Sequence, residues 1–296
     1  MLQFLHSNRT ILQVLAGAFM ISFSAIWVRL ADVPPTTSAL YRVFFGFLFL
    51  LVATFWKKEI RIIPVKSLCW IISCGIIFSL NLLFWHKSIF FIGPGLATVL
   101  SNFQVFLLAA IGILFFGERI RPRFLLSIPI AVFGLFLVVG VSWNDLSPNY
   151  KTGIYFSLLA ALCYAGFLIS LRKIQHDQNQ PSLFYTLMLI SFITAICLAQ
   201  KMVLYGDSFT IPDLYNLSIL LSLAFFSQVL GWLLIANAMP KIRTSLTGFI
   251  LLLQPALSFI WDVLFFSRPT DLINWLGIII TLTAIYMGMT GSIKKH

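Results

Sequence analysis

Ten apolar stretches alternate along the chain with short polar breaks: Ile11–Leu30, Ser38–Trp56, Leu68–Phe90, Gly95–Phe116, Phe124–Val141, Gly153–Leu171, Leu183–Gln200, Leu217–Ala238, Ser245–Phe266 and Leu272–Gly291. A helix rises ~1.5 Å per residue, so about 20 apolar residues cross a hydrocarbon core ~30 Å thick. The breaks carry turn formers or charges, as in Asp32-Val33-Pro34-Pro35, Lys57-Lys58-Glu59, Gly93-Pro94-Gly95 and Asn144-Asp145-Leu146-Ser147-Pro148-Asn149. The pattern predicts ten transmembrane helices and no soluble domain. Ala16-Gly17-Ala18 has the form of a signal-peptidase site, but Ile11–Leu15 is a short apolar core and the run continues to Ala31. This stretch is therefore expected to be the first span and not a cleaved signal.

Composition supports an all-α integral membrane protein. Of the 296 residues, 60% are hydrophobic and 10% charged, against the ~25% charged residues of a soluble domain. With so few charges lipid must replace water around most of the chain, and the backbone must then satisfy itself as helices. The net charge of +11 lies in short stretches between apolar runs, so it reads as a topology signal and not as a nucleic-acid surface. Cys69, Cys74, Cys163 and Cys197 form no CxxC pair and sit in or beside apolar segments, so neither a metal nor a cofactor is expected.

The basic residues set an orientation. One side would hold the fourteen residues Arg9, Lys57, Lys58, Arg61, Lys66, Arg119, Arg121, Arg123, Arg172, Lys173, Lys241, Arg243, Lys294 and Lys295. The other would hold the five residues Arg29, Lys87, Lys151, Lys201 and Arg268. Basic residues favour the cytoplasmic side, so both termini are expected there, in a bacterial inner membrane. The chain also repeats itself: at a shift of 150 residues Gly95–Val139 falls on Ser245–Met289, Gln104-Val105 on Gln254-Pro255 and Phe115-Phe116 on Phe265-Phe266. Two five-helix halves follow, 1–146 and 147–296. Because five is odd, the second enters the membrane inverted, giving a 5+5 inverted repeat of the kind transporters use for alternating access.

Ser22-Phe23-Ser24-Ala25-Ile26-Trp27-Val28-Arg29, followed by Ala39-Leu40-Tyr41-Arg42, resembles the opening of EamA-family members of the drug/metabolite transporter superfamily. Phe116-Gly117-Glu118-Arg119-Ile120, Gly134 and Gln254-Pro255 extend the resemblance over essentially the whole chain. It implies ten spans, a central cavity lined from both halves, and transport of small metabolites. Val105 stands where a proline is common, and Ser267-Arg268 where the first half has Gly117-Glu118. The resemblance therefore does not imply that both halves bend alike.

Polar groups within the apolar stretches are the site candidates, because an unpaired one costs several kcal/mol in hydrocarbon. Arg42, next to Tyr41, is either a fork for a carboxylate or phosphate or a snorkelling side chain paired with Asp32 or a loop carbonyl. His86 and Lys87 offer a titrating group and a second cation, or plain interfacial placement. Asp262, inside the ninth stretch, is a gate or coupling residue with Arg42, Lys87 or Arg268 as partner. Glu118, among arginines, suits an inner gate. Gln104 and Gln254 occupy matched positions near mid-span, and Pro255 breaks the helix there. Asn102, Gln228 and Asn237 add hydrogen-bonding capacity, while Trp27, Tyr164 and Trp232 offer stacking surfaces. For each of these, interhelical pairing or packing is the competing reading.

The expected function is secondary transport of a small organic metabolite, an amino acid or related carboxylate-bearing or aromatic compound, with protons as the candidate coupling ion. No Walker motif is present to hydrolyse ATP. An intramembrane lipid-modifying enzyme and a passive channel are the alternatives. Against the enzyme stands the absence of HExxH, GxSxG and paired intramembrane aspartates. Against the channel stands the lack of a charged ring or filter-like run. Expected partners are the substrate and lipid; monomer and homodimer both remain open.

Overall fold

The computed structural model describes residues 2–60, 63–116, 122–139, 146–175, 181–238 and 251–291, and all of its regular structure is helical. The helices are α1 (Leu2–Ser22), α2 (Ser24–Leu30), α3 (Pro35–Trp56), α4 (Val65–Ile92), α5 (Pro94–Ser101), α6 (Gln104–Phe116), α7 (Pro122–Val139), α8 (Pro148–Gln175), α9 (Leu183–Tyr205), α10 (Leu214–Ser222), α11 (Trp232–Ala238), α12 (Leu253–Phe266) and α13 (Leu272–Gly291). A π-helical stretch, Leu223–Gly231, joins α10 to α11.

Among the described residues, six helical segments are long and apolar enough to cross a membrane: Thr10–Leu30, Pro35–Trp56, Val65–Ile92, Pro148–Leu171, Leu183–Tyr205 and Leu214–Ile235. Four shorter apolar helices accompany them, Pro94–Leu108, Pro122–Val138, Leu253–Phe266 and Leu272–Gly288. Their outward faces are apolar. On α4, Ile72, Ile76 and Leu80 recur every fourth residue and are exposed, while Arg42, Asn81, His86, Gln228 and Asp262 are buried. An apolar exterior around polar groups suits a lipid solvent. The chain is a multi-pass membrane protein.

Element ends follow local chemistry. Pro35 and Pro94 sit in the first turns of α3 and α5, where a missing N–H costs nothing. Ser182 accepts from the Tyr185 N–H at the start of α9, and Gly206, with φ +69°, closes that helix in the left-handed conformation. Asp213 caps α10 by accepting from the Asn216 N–H.

The core is built from helix pairs. Helix α4 packs on α8 and α9, where Ile71, Cys74, Phe78 and Leu82 meet Phe167, Ile190 and Leu198. Helix α5 packs on α12, and α7 on α13. The last pair is very close: a Cβ on Gly277 would meet the Gly134 carbonyl oxygen at 2.7 Å. Small residues permit such approach between membrane helices.

The fourth apolar stretch is interrupted between α5 and α6. Phe103 N–H donates to Leu100 O at 3.0 Å and Phe106 N–H to Phe103 O at 3.0 Å, bonds of 3₁₀ type. A break also falls at Leu252, just before α12. Asn102 and Leu252 are 150 residues apart, the shift of the internal repeat. The break at Asn102 thus forms without a proline, whereas Pro255 follows the one at Leu252. The expected end of the fifth span at Val141 and start of the ninth at Ser245 lie outside the described residues.

Several ties join the start of α3 and the loop before it to the α9–α10 connection. Thr37 Oγ1 donates to Ser208 O at 2.7 Å, Tyr41 OH to Phe209 O at 2.6 Å, and the Asp32 N–H to Asn216 Oδ1 at 2.7 Å. Lys201 pairs with Asp207 and also donates to Thr36 Oγ1 at 3.3 Å. The hydrogen bond from Lys201 holds the Asp207 carboxyl below the ordinary carboxylate range. A carboxyl lowered in the folded state stabilises above its unfolded value of ~4, and that contribution disappears as pH falls through the folded value. The pair is partly exposed, so Asp207→Asn is expected to cost no more than about 1 kcal/mol at neutral pH. Melting curves recorded from pH 7 to pH 3 check this: the variant should lose less on acidification than the parent.

Candidate functional site

Arg42 lies seven residues into α3, about 10 Å along the helix from its start. It is 5% exposed and neither snorkels nor reaches Asp32. Its Nε donates to Gln228 Oε1 at 3.1 Å and one Nη to Ser24 Oγ at 3.1 Å. The guanidinium also lies 5.4 Å from the centre of the Trp85 ring. Two neutral oxygens and a ring face therefore surround the charge, and among the described residues no carboxylate pairs with it. Removing a charge from water without a counter-ion is costly, and such groups in membrane segments mark functional sites by default.

Four helical elements build this centre. Ser24 comes from α2, Arg42 from α3, Trp85 from α4 and Gln228 from the π-helical stretch. Gly46, one turn after Arg42, makes room for Gln228: a Cβ there would meet Gln228 Cγ at 2.7 Å. Gln228 Nε2 in turn donates to Ser191 Oγ at 3.4 Å on α9. Gly46→Ala should displace Gln228 and cost about 1–3 kcal/mol by overpacking, read as a lower melting temperature.

His86 adjoins this centre and is fully buried. Its Nδ1 is 2.7 Å from Ser38 Oγ, and its Nε2 has no hydrogen-bond partner among the described residues. Its ring meets Trp85 edge-on at 5.3 Å, and it lies within electrostatic reach of Arg42. Tyr164, also within electrostatic reach of Arg42, stacks on Phe167 at 5.7 Å. Phe167 contacts Phe78 at 4.6 Å and Trp232 at 6.4 Å. Tyr164 and Trp232 are only half-buried. An aromatic wall thus stands beside the cation.

The other sequence candidates fall elsewhere. Tyr41 is tied to Phe209 in the loop after α9. Lys87 lies over the Phe156 ring at 5.6 Å. Trp27 packs between two core clusters with its indole N–H unpartnered. Asn102 donates to Thr98 O at 2.8 Å within its own turn. Gln104 and Gln254 are half-buried at matched positions, Pro255 is buried beside Gln254, and Asn237 is exposed near the end of α11. Glu118 lies outside the described residues.

Asp262 has Arg268 as its partner, not Arg42 or Lys87. Asp262 Oδ2 accepts from Arg268 Nη1 at 3.1 Å and from the Gly95 N–H at 3.0 Å. Arg268 also donates to Ile92 O at 2.7 Å and Tyr150 OH at 3.3 Å. This cluster joins α12 to the α4–α5 corner and to α8. Gly93, with φ +84°, turns that corner, and a Cβ on it would meet Asp262 Oδ2 at 2.8 Å. Here glycine is needed for both conformation and space.

Sequence reasoning missed Ser24, Ser38, Ser191 and Trp85 as members of the centre. Serine is too common at helix contacts to stand out. The usable signal was Arg42 itself, since a buried guanidinium must find acceptors on the facing spans.

Apolar helices around a buried, un-neutralised cation define a polytopic membrane protein with an internal polar centre. The EamA-like transporter family model matches residues 8–140 and again 151–290. The chain belongs to that family, within the drug/metabolite transporter superfamily. It is 24% identical over 203 residues to a protein of Escherichia coli strain K12 named "Probable amino-acid metabolite efflux pump", covering 67% of this chain and 68% of that one. A protein of the same name from Salmonella typhimurium strain LT2 matches with the same identity and coverage. A crystal structure at 14% identity superposes with a TM-score of 0.65, covering 96% of this chain and 98% of its own, a likeness of fold alone.

Proposed function

We propose that the protein is a secondary transporter of a small carboxylate-bearing metabolite, working by alternating access around Arg42 in a bacterial inner membrane. In this reading the six long and four shorter apolar helices are ten spans in two inverted five-helix halves, 1–146 and 147–296, with both termini cytoplasmic. The paired family matches and the helix breaks at Asn102 and Leu252 support the duplication. One observation carries the functional reading: among the described residues the buried Arg42 guanidinium is held by neutral groups alone, and a bound carboxylate would complete it bidentately.

Protons are the coupling ion in this reading, with His86 and Asp262 as the groups that take them up. Retention of parental uptake by both His86→Ala and Asp262→Asn from pH 5 to pH 8 would remove that part. The relatives' name, "Probable amino-acid metabolite efflux pump", supports small-metabolite transport and not lipid chemistry. The test is counterflow in proteoliposomes with labelled carboxylates and amines. Carboxylates should exchange saturably and simple amines should not compete. If no carboxylate competes, the reading fails. Alkaline phosphatase fusions near residues 10 and 290 should both be inactive, reporting cytoplasmic ends.

A further inference from the structure

The charge balance around Arg42 bears on which carboxylate is carried. Six carboxylates lie among the described residues, and none serves this centre. Glu59 accepts from Ser182, Asp207 pairs with Lys201, Asp213 caps α10, Asp262 holds Arg268 and Asp271 accepts from the Asn274 N–H. Asp32 is exposed in the loop before α3. The titratable groups in electrostatic reach of Arg42 are Tyr164 and His86, and neither is an anion at neutral pH. With His86 neutral the centre therefore carries one positive charge, and no carboxylate among the described residues neutralises a second.

A free amino acid brings its ammonium within two bonds of its carboxylate. Bound at Arg42, that ammonium would sit close to the guanidinium with no counter-charge. At an effective dielectric of ~20 and a separation of ~5 Å, this repulsion is worth roughly a hundredfold in binding. The same acid without the ammonium escapes it.

His86 supplies an independent observation. Ser38 has one hydroxyl proton and two acceptors to choose from, Pro35 O at 3.0 Å and His86 Nδ1 at 2.7 Å. In either neutral tautomer His86 keeps a buried Nε2 that no side chain among the described residues satisfies. A buried unpaired nitrogen beside the cation suits a second polar group on the ligand. A hydroxyl beside the carboxylate can donate to this nitrogen or accept from it, so it serves both tautomers. The wall of Trp85, Tyr164, Phe167 and Trp232 fits a ring or a bulky apolar tail.

We infer that the transported species is a net anion without a free α-ammonium: an aromatic or bulky apolar acid of the 2-hydroxy, 2-oxo or N-acylated kind. Zwitterionic amino acids are selected against. This inference rests on the reading of Arg42 as the carboxylate clamp.

Calorimetry at pH 7 on the full chain in lipid nanodiscs tests it, with 3-phenyllactate, N-acetylphenylalanine, phenylalanine and phenethylamine as probes. The two acids should bind at least ~10-fold more tightly than phenylalanine, and phenethylamine should not bind. Phenylalanine binding as tightly as phenyllactate overturns the inference and leaves the clamp standing. Phenethylamine binding as tightly as either acid overturns both. Absence of binding by all four probes overturns the inference. Gln228→Glu places an anion against Arg42, so phenyllactate should lose at least ~10-fold while phenylalanine loses less. An unchanged ratio between the two in that variant also overturns it.

Discussion

Arg42→Gln is expected to abolish saturable carboxylate uptake while leaving the protein folded. Removing one partner of a buried charge pair costs about 2–5 kcal/mol, which corresponds to a loss of ~30-fold to several thousandfold in binding. The folded protein should not suffer equally. Its guanidinium is compensated only by Gln228, Ser24 and the Trp85 ring, so neutralising it also relieves a desolvation cost. The new amide nitrogen stands where Nε stood and keeps a donor for Gln228 Oε1. The melting temperature should therefore hold or rise as transport falls, a combination that a merely structural arginine would not give. Arg42→Lys keeps the charge and loses the planar fork, and should retain a fraction of the activity. Uptake in proteoliposomes and melting in detergent decide the matter together. Parental uptake by Arg42→Gln would end the role assigned to this residue.

Asp262→Asn should be the most destabilising of the conservative substitutions in the described helices. It leaves Arg268 half-buried without its counter-charge, and breaking a buried pair in this way costs about 3–5 kcal/mol. The Ile92 carbonyl and the Tyr150 hydroxyl can hold part of the guanidinium, so the lower end of that range is expected. A cycle with Arg268→Gln separates the pair from its surroundings. The double variant should be less impaired than the two single losses added together. Additive losses would mean that Asp262 and Arg268 do not act as a unit. Because the cluster joins α12 to the α4–α5 corner, losing it should also free this end of the bundle, and a changed uptake rate would report that.

The sequence announced most helices because lipid leaves few options: a long run without charges must be a helix. It announced their ends where proline fixes a dihedral, as at Pro35 and Pro94; the end of α9 at Gly206 lies beyond the expected Gln200. It did not announce the break at Asn102–Phe103, which is a local change from i−4 to i−3 bonding without a proline. Nor did it announce the π-helical stretch, because widening a helix by one residue per turn leaves no composition signature. Arg42 was visible as an oddity, but its depth was not. Hydropathy places a residue along a span and says nothing about the direction it faces. Gln228, its acceptor, lies 186 residues away, a pairing that only the packed bundle reveals. For Asp262 three cations were open as partners; the left-handed turn at Ser267, with φ +50°, stands between it and Arg268, the one it takes.

The widened stretch that carries Gln228 has a mechanical consequence. From Leu223 to Gly231 the helix holds more residues per turn than its neighbours and is overstocked for its length. Letting that surplus slip along the rod would swivel Gln228 off the guanidinium without stretching the chain or parting the rods around it. On the reading of Arg42 as the clamp, cargo must be let go as well as seized, and this segment offers a grip that can be undone from within.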